Sequence, residues 1–133
     1  MDSSKIILLI EDDDVDAMTV KRILKTLGIT NKLAHKIDGE EGVDYLTDQA
    51  NEKPALIMLD LNMPRMNGRE FIQDMRKNPN TAEIPVIALS TSNTNRDIVN
   101  GNVVAYVIKC LSINNFTSEL EACFKRLAFC LQA

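Results

Sequence analysis

The run Ala55-Leu56-Ile57-Met58-Leu59 places five apolar side chains in a row and then meets Asp60. Apolar character without alternation suits a strand covered on both faces, as in a parallel sheet lying between helices. Lys5-Ile6-Ile7-Leu8-Leu9-Ile10 has the same character and ends on Glu11-Asp12-Asp13-Asp14. Pro85-Val86-Ile87-Ala88-Leu89 has it again and ends on Ser90-Thr91-Ser92, while Val103 to Ile108 runs into Lys109. Taken alone, Asp60 is as readily a solvated acid at a turn as a functional group. The other strand ends decide between the two.

The segments between these runs read as helices. Asp14 is the expected N-cap of the first, with Asp16 in a first turn where the helix dipole favours negative charge. Ala17, Val20, Leu24 and Leu27 form its buried stripe, and Gly28 closes it. Lys32 to Ile37 alternates weakly and reads as an edge strand, with His35 a surface or edge-strand side chain. Asp38 and Glu41 mark the start of a second helix through Val43 and Leu46. A third buries Phe71, Ile72 and Met75 before Asn78-Pro79-Asn80 breaks it. The last, capped by Ser112, turns Phe116, Leu120, Cys123, Phe124, Leu127 and Leu131 to one face. Strands and helices alternating in this way imply an α/β fold. The expected form is a single doubly wound, five-stranded parallel sheet with helices on both faces and right-handed crossovers.

The 133 residues suit one domain, with no output domain expected. A net charge of −4 gives no reason to expect a nucleic-acid or anionic-membrane partner. Cys110, Cys123 and Cys130 form no CxxC pair and His35 is the single histidine, which argues against a zinc site. With no signal-peptide core or membrane-spanning run, the expected location is the reducing cytoplasm.

In a doubly wound sheet, Glu11, Asp12, Asp60, Ser90 and Lys109 all emerge on the same edge, where such sheets bind ligands. Carboxylates crowded together raise one another's pKa, and a hard divalent cation such as Mg²⁺ relieves that repulsion through oxygen ligands. A lysine and a small hydroxyl on the same edge supply partners for phosphoryl oxygens. The chemistry indicated is phosphoryl transfer onto a carboxylate.

The blocks Ile10-Glu11-Asp12-Asp13, Leu59-Asp60-Leu61-Asn62-Met63-Pro64-Arg65-Met66-Asn67-Gly68, Ile84 to Ser90 and Ala105-Tyr106-Val107-Ile108-Lys109 resemble the receiver domains of two-component response regulators. That resemblance spans the chain from Lys5 to about Leu131 and implies the strand order 2-1-3-4-5. It implies a phosphorylation-switched signalling module, rather than an enzyme, that takes its phosphoryl group from a sensor histidine kinase onto Asp60. It further implies Mg²⁺ held by Glu11, Asp12, Asp60 and the Asn62 backbone carbonyl. Ser90, Lys109 and Tyr106 would be the phosphate-binding and switch residues, and Asn62 and Ser92 would tune the lifetime of the aspartyl phosphate. Gly68-Arg69-Glu70-Phe71, the Asn78-Pro79 break and Ser90-Thr91-Ser92 resemble in particular the stand-alone receivers that serve bacterial phytochrome kinases.

Three features depart from that pattern. Cys110 follows Lys109 where the family has proline. The segment from Ser90 to Lys109 is about three residues short, close to one helical turn, so a fourth helix there is expected to be short or irregular. Phe129 and Cys130 form a second apolar strip on the last helix and suggest a homodimer contact. A degenerate receiver acting as a constitutive interaction domain is the alternative these departures favour. An aspartyl phosphatase is disfavoured, because Asn62 stands where such enzymes place a second acid.

Overall fold

The computed structural model describes residues 4–62, 68–91, 103–109 and 112–131, with the side chains of 128–131 excepted. In chain order the elements are β1 (Ile7–Ile10), α1 (Asp14–Thr26), β2 (Leu33–Lys36), α2 (Gly39–Thr47), β3 (Leu56–Asp60), α3 (Gly68–Lys77), β4 (Val86–Ser90), β5 (Ala105–Ile108) and α4 (Ile113–Leu131). Every strand pair is parallel and the order is β2-β1-β3-β4-β5, as expected. The proposed fourth-helix segment, Ser92, Cys110, and the side chains of Phe129, Cys130 and Leu131 lie outside the described residues.

The period of two along each central strand divides the core into two layers. Ile7, Leu9, Leu56, Met58, Ile87 and Leu89 point to one face and pack against Ala17, Val20, Ile23 and Leu24 of α1 and Phe116, Leu120 and Phe124 of α4. Leu8, Ile10, Ile57, Leu59, Val86 and Ala88 point to the other, against Phe71, Ile72 and Met75 of α3. Both faces are therefore dry, which is why these strands lack polar alternation. Cys123 is part of the first layer, buried, with burial pushing its thiol pKa up.

The helix ends are set by local chemistry. Asp13, not Asp14, caps α1: its Oδ1 accepts from Val15 N at 2.8 Å and Asp16 N at 3.1 Å. Asp14 is instead the first helical residue, its own backbone already in the turn that Asp13 starts. At the other end Gly28, at φ +76, lets its N–H reach Lys25 O while Ile29 N reaches Leu24 O. That is a Schellman closure, with Leu24 and Ile29 together in the first core layer. Asp38 caps α2 through Glu41 N at 2.9 Å, and Glu41 Oε1 accepts from Ile37 N at 3.0 Å. α3 stops at Lys77, before the Asn78-Pro79-Asn80 break, and the Met75 carbonyl accepts from Thr81 Oγ at 2.7 Å and from Asn78 N at 3.4 Å.

A candidate phosphoacceptor site at the strand ends

The carboxyl ends of β1, β3, β4 and β5 converge on one edge of the sheet. Asp60 is the last residue of β3 and Ser90 the last of β4, with exposures of 1% and 0%, and Lys109 directly follows β5. Glu11, fully buried, follows β1, and Asp12 beside it is exposed. The register carries these residues into line: Asp60 pairs with Leu89, and Lys109 N donates to Ser90 O at 2.7 Å. Gly68, the first residue of α3, is pressed onto the chain after Asp60. A Cβ there would collide with the Leu61 side chain and lie 3.0 Å from Leu61 Cα.

Lys109 Nζ lies 2.6 Å from Glu11 Oε1, 3.0 Å from Asp16 Oδ2 and 3.3 Å from Asp60 Oδ1. Burial opposes its charge, but those carboxylates outweigh burial and hold its pKa above the ordinary lysine value. Glu11 is driven the other way. Desolvation first, and then Asp60 beside it, raise its pKa from 4.5 to about 8 against the pull of Lys109. The Glu11 carboxyl is thus an acid crowded by another acid in a dry place, and one lysine does not fully compensate it.

That imbalance is what a divalent cation would correct. Oxygen atoms of Glu11, Asp12 and Asp60 lie within 4.8 Å of one another, a hard all-oxygen donor set. Glu11 Oε1 is buried and accepts no aligned hydrogen bond, despite its nearness to Lys109. The residues present therefore fit a divalent ion.

Asn62 does more than the resemblance implied. Its N–H donates to Asp60 Oδ1 at 2.9 Å, which fixes that carboxylate. Its own side-chain Oδ1 reaches across to the end of β4 and accepts from Thr91 N at 3.2 Å and Ser90 Oγ at 3.4 Å. Tyr106 is half-buried on β5 and packs against the second core layer. His35 lies on the edge strand β2, as expected, and its Nε2–H donates to the Glu11 carbonyl at 2.8 Å. Asp16, read from sequence as a helix-dipole residue, pairs with Lys109 across 93 positions, a distance no local pattern could bridge.

Residues 7–121 match the family model for the response regulator receiver domain. The chain belongs to the response regulator receiver family. Among curated relatives of this receiver domain, the response regulator Rcp1 of Synechocystis sp. is 37% identical over 99 residues, covering 71% of this chain and 67% of that protein. The crystal structure of the Mn²⁺-bound form of Rcp1 superposes with a TM-score of 0.79 at 32% identity, over 89% of this chain and 90% of that one. The phosphorylated cyanobacterial phytochrome response regulator RcpA gives 0.78 at 30% identity, over 90% of this chain and 91% of that one. The receiver fold, the family and the likeness to phytochrome response regulators expected from sequence are all borne out, and the chain is a signalling regulator of the two-component type. No described helix is long and apolar enough to cross a membrane.

Proposed function

We propose that this receiver accepts a phosphoryl group on Asp60 from the phosphohistidine of a sensor kinase and changes its protein contacts as a result. The observation that carries this reading is Asp60 itself, nearly buried at the end of β3, with a lysine at 3.3 Å and two further carboxylates gathered beside it. Asp60 Oδ1 is engaged by Asn62 N and Lys109 Nζ, so Oδ2 is the oxygen assigned to attack phosphorus. The phosphorus–nitrogen bond breaks as the oxygen–phosphorus bond forms. Its electron pair stays on the imidazole, which takes a proton from solvent.

Glu11, Asp12, Asp60 and the Asn62 backbone carbonyl would hold Mg²⁺, which when bound neutralises charge on the phosphoryl oxygens. Lys109 supplies a second positive charge on the same side, and Ser90 a hydroxyl to a phosphoryl oxygen. Tyr106 and Ser90 belong to the switch: a hydroxyl drawn toward phosphate leaves Asn62 Oδ1 and alters the packing beside β5. Asn62 and Ser92 tune the lifetime of the acyl phosphate. Asn62 is no general base, because an amide oxygen that accepts from Thr91 N and Ser90 Oγ cannot take up a proton from water. A regulator that turns over only its own phosphoryl group follows.

The likeness to RcpA and to bacteriophytochrome response regulators supports a phytochrome-type kinase as donor. Phosphotransfer from a purified, autophosphorylated kinase of that type tests the assignment. Label should move to the wild-type receiver in Mg²⁺ and not to Asp60→Asn. Label appearing equally on both proteins would contradict it.

A further inference from the structure

We propose that Asp16 is a positioning residue, an outer counter-ion that parks the Lys109 ammonium and yields it when a phosphoryl group arrives; the inference rests on the reading of Asp60 as phosphoacceptor. The ammonium has three N–H groups and three carboxylates around it. Glu11 Oε1 is nearest, at 2.6 Å. Asp16 Oδ2 accepts an aligned hydrogen bond at 3.0 Å.

The three acids are not equally able to let go. Glu11 and Asp60 are buried at the ends of central strands, where an abandoned carboxylate is costly. Asp16 stands in the first turn of α1 with its side chain 39% exposed, so water replaces the lysine at little cost. Nor is the Asp16 carboxylate needed to cap its helix. Asp13 already accepts from Val15 N and Asp16 N, which leaves the Asp16 side chain to face Lys109. A phosphoryl oxygen on Asp60 must take one of the three ammonium donors, and the one bound to Asp16 is the cheapest to redirect.

Two measurements on the full chain test this. In metal-free protein, exchange of the Lys109 ammonium protons followed by ¹⁵N NMR should quicken about three- to tenfold in Asp16→Asn. It should return close to the wild-type rate in Asp16→Glu, which keeps the charge. An unchanged rate in Asp16→Asn overturns the proposal. Beryllofluoride with Mg²⁺ then serves as the phosphoryl probe. Asp16→Asn should tighten its binding by about three- to tenfold in the wild-type background and by less than about twofold when Lys109→Ala is also present. Equal tightening in both backgrounds overturns the positioning role and leaves only the removal of a negative charge. If beryllofluoride does not bind the wild-type receiver, the Asp60 reading falls and takes this proposal with it.

Discussion

The central and edge strands of this sheet do different work. In β1, β3 and β4 every residue is buried, and the groups at their ends, Glu11, Asp60 and Ser90, are buried too. In β2 every residue is half-buried, and in β5 only Val107 is fully so. The edge strands carry His35, Tyr106 and, just beyond β5, Lys109. The centre thus fixes the proposed nucleophile and two of its neighbours, while the groups proposed to respond to a phosphoryl charge hang from the less constrained margins. The proposed phosphotransfer needs both: a nucleophile that does not move and a cation that can.

The sharpest test of this division is stability. Leu9→Ala removes a fully buried side chain from a central strand and should cost about 2–5 kcal/mol. Leu33→Ala on β2, only half-covered, should cost about 1 kcal/mol. Urea denaturation of the two variants measures both, and equal losses would break the comparison.

Next in size is Gly68→Ala. The added methyl meets the Leu61 side chain and backbone directly after Asp60, so the start of α3 or the end of β3 must shift. A loss of about 1–3 kcal/mol is expected, together with weaker divalent-cation binding by calorimetry. A variant as stable and as tightly binding as wild type would show that the chain after Asp60 has slack.

The pH dependence isolates the buried acid of the centre. The Glu11 carboxyl titrates near 8 in the folded protein and near 4.5 in the unfolded chain, so between those values the folded state holds the extra proton. Its contribution to stability in the metal-free protein therefore declines as pH rises from about 4.5 to about 8 and is flat above. A divalent cation needs the ionised form, so its affinity should rise with pH over the same range, by up to about tenfold per pH unit below 8. Denaturation and cation titration at a series of pH values, compared with Glu11→Gln, check both slopes.

The smallest effect is expected at the edge. His35→Ala removes the donor to the Glu11 carbonyl and should cost about 0.5–1.5 kcal/mol. His35→Leu, which keeps apolar bulk without the donor, should lose a similar amount by thermal denaturation. Recovery of stability in the leucine variant would assign the effect to packing instead.

How much of this could be read from the chain alone follows the same division. The central strands and their polar ends were legible because residues covered on both faces leave a continuous apolar signature, and Asp60 and Ser90 stop it sharply. The ends of the runs were less legible: Lys5, Ile6, Lys32, Ile37, Ala55, Pro85, Val103 and Val104 lie just outside the strands, in the centre as at the edges. The cap of α1 was displaced by one residue because Asp12, Asp13 and Asp14 are chemically equivalent as caps, and only backbone geometry selects Asp13. The long-range contacts of His35, Asp16 and the Asn62 side chain were missed for one reason. Each acts on a partner 24 to 93 positions away, which periodicity and spacing do not record.

The central claim is that the strand-end groups form one phosphoacceptor site on Asp60. Intact-mass spectrometry after incubation with a small phosphodonor tests it most directly, in Mg²⁺ and again in excess chelator. The account predicts one added phosphoryl group on the wild-type chain in Mg²⁺, none in chelator and none on Asp60→Asn. A phosphoryl group that persists in Asp60→Asn, or that forms as readily without the cation, would contradict it.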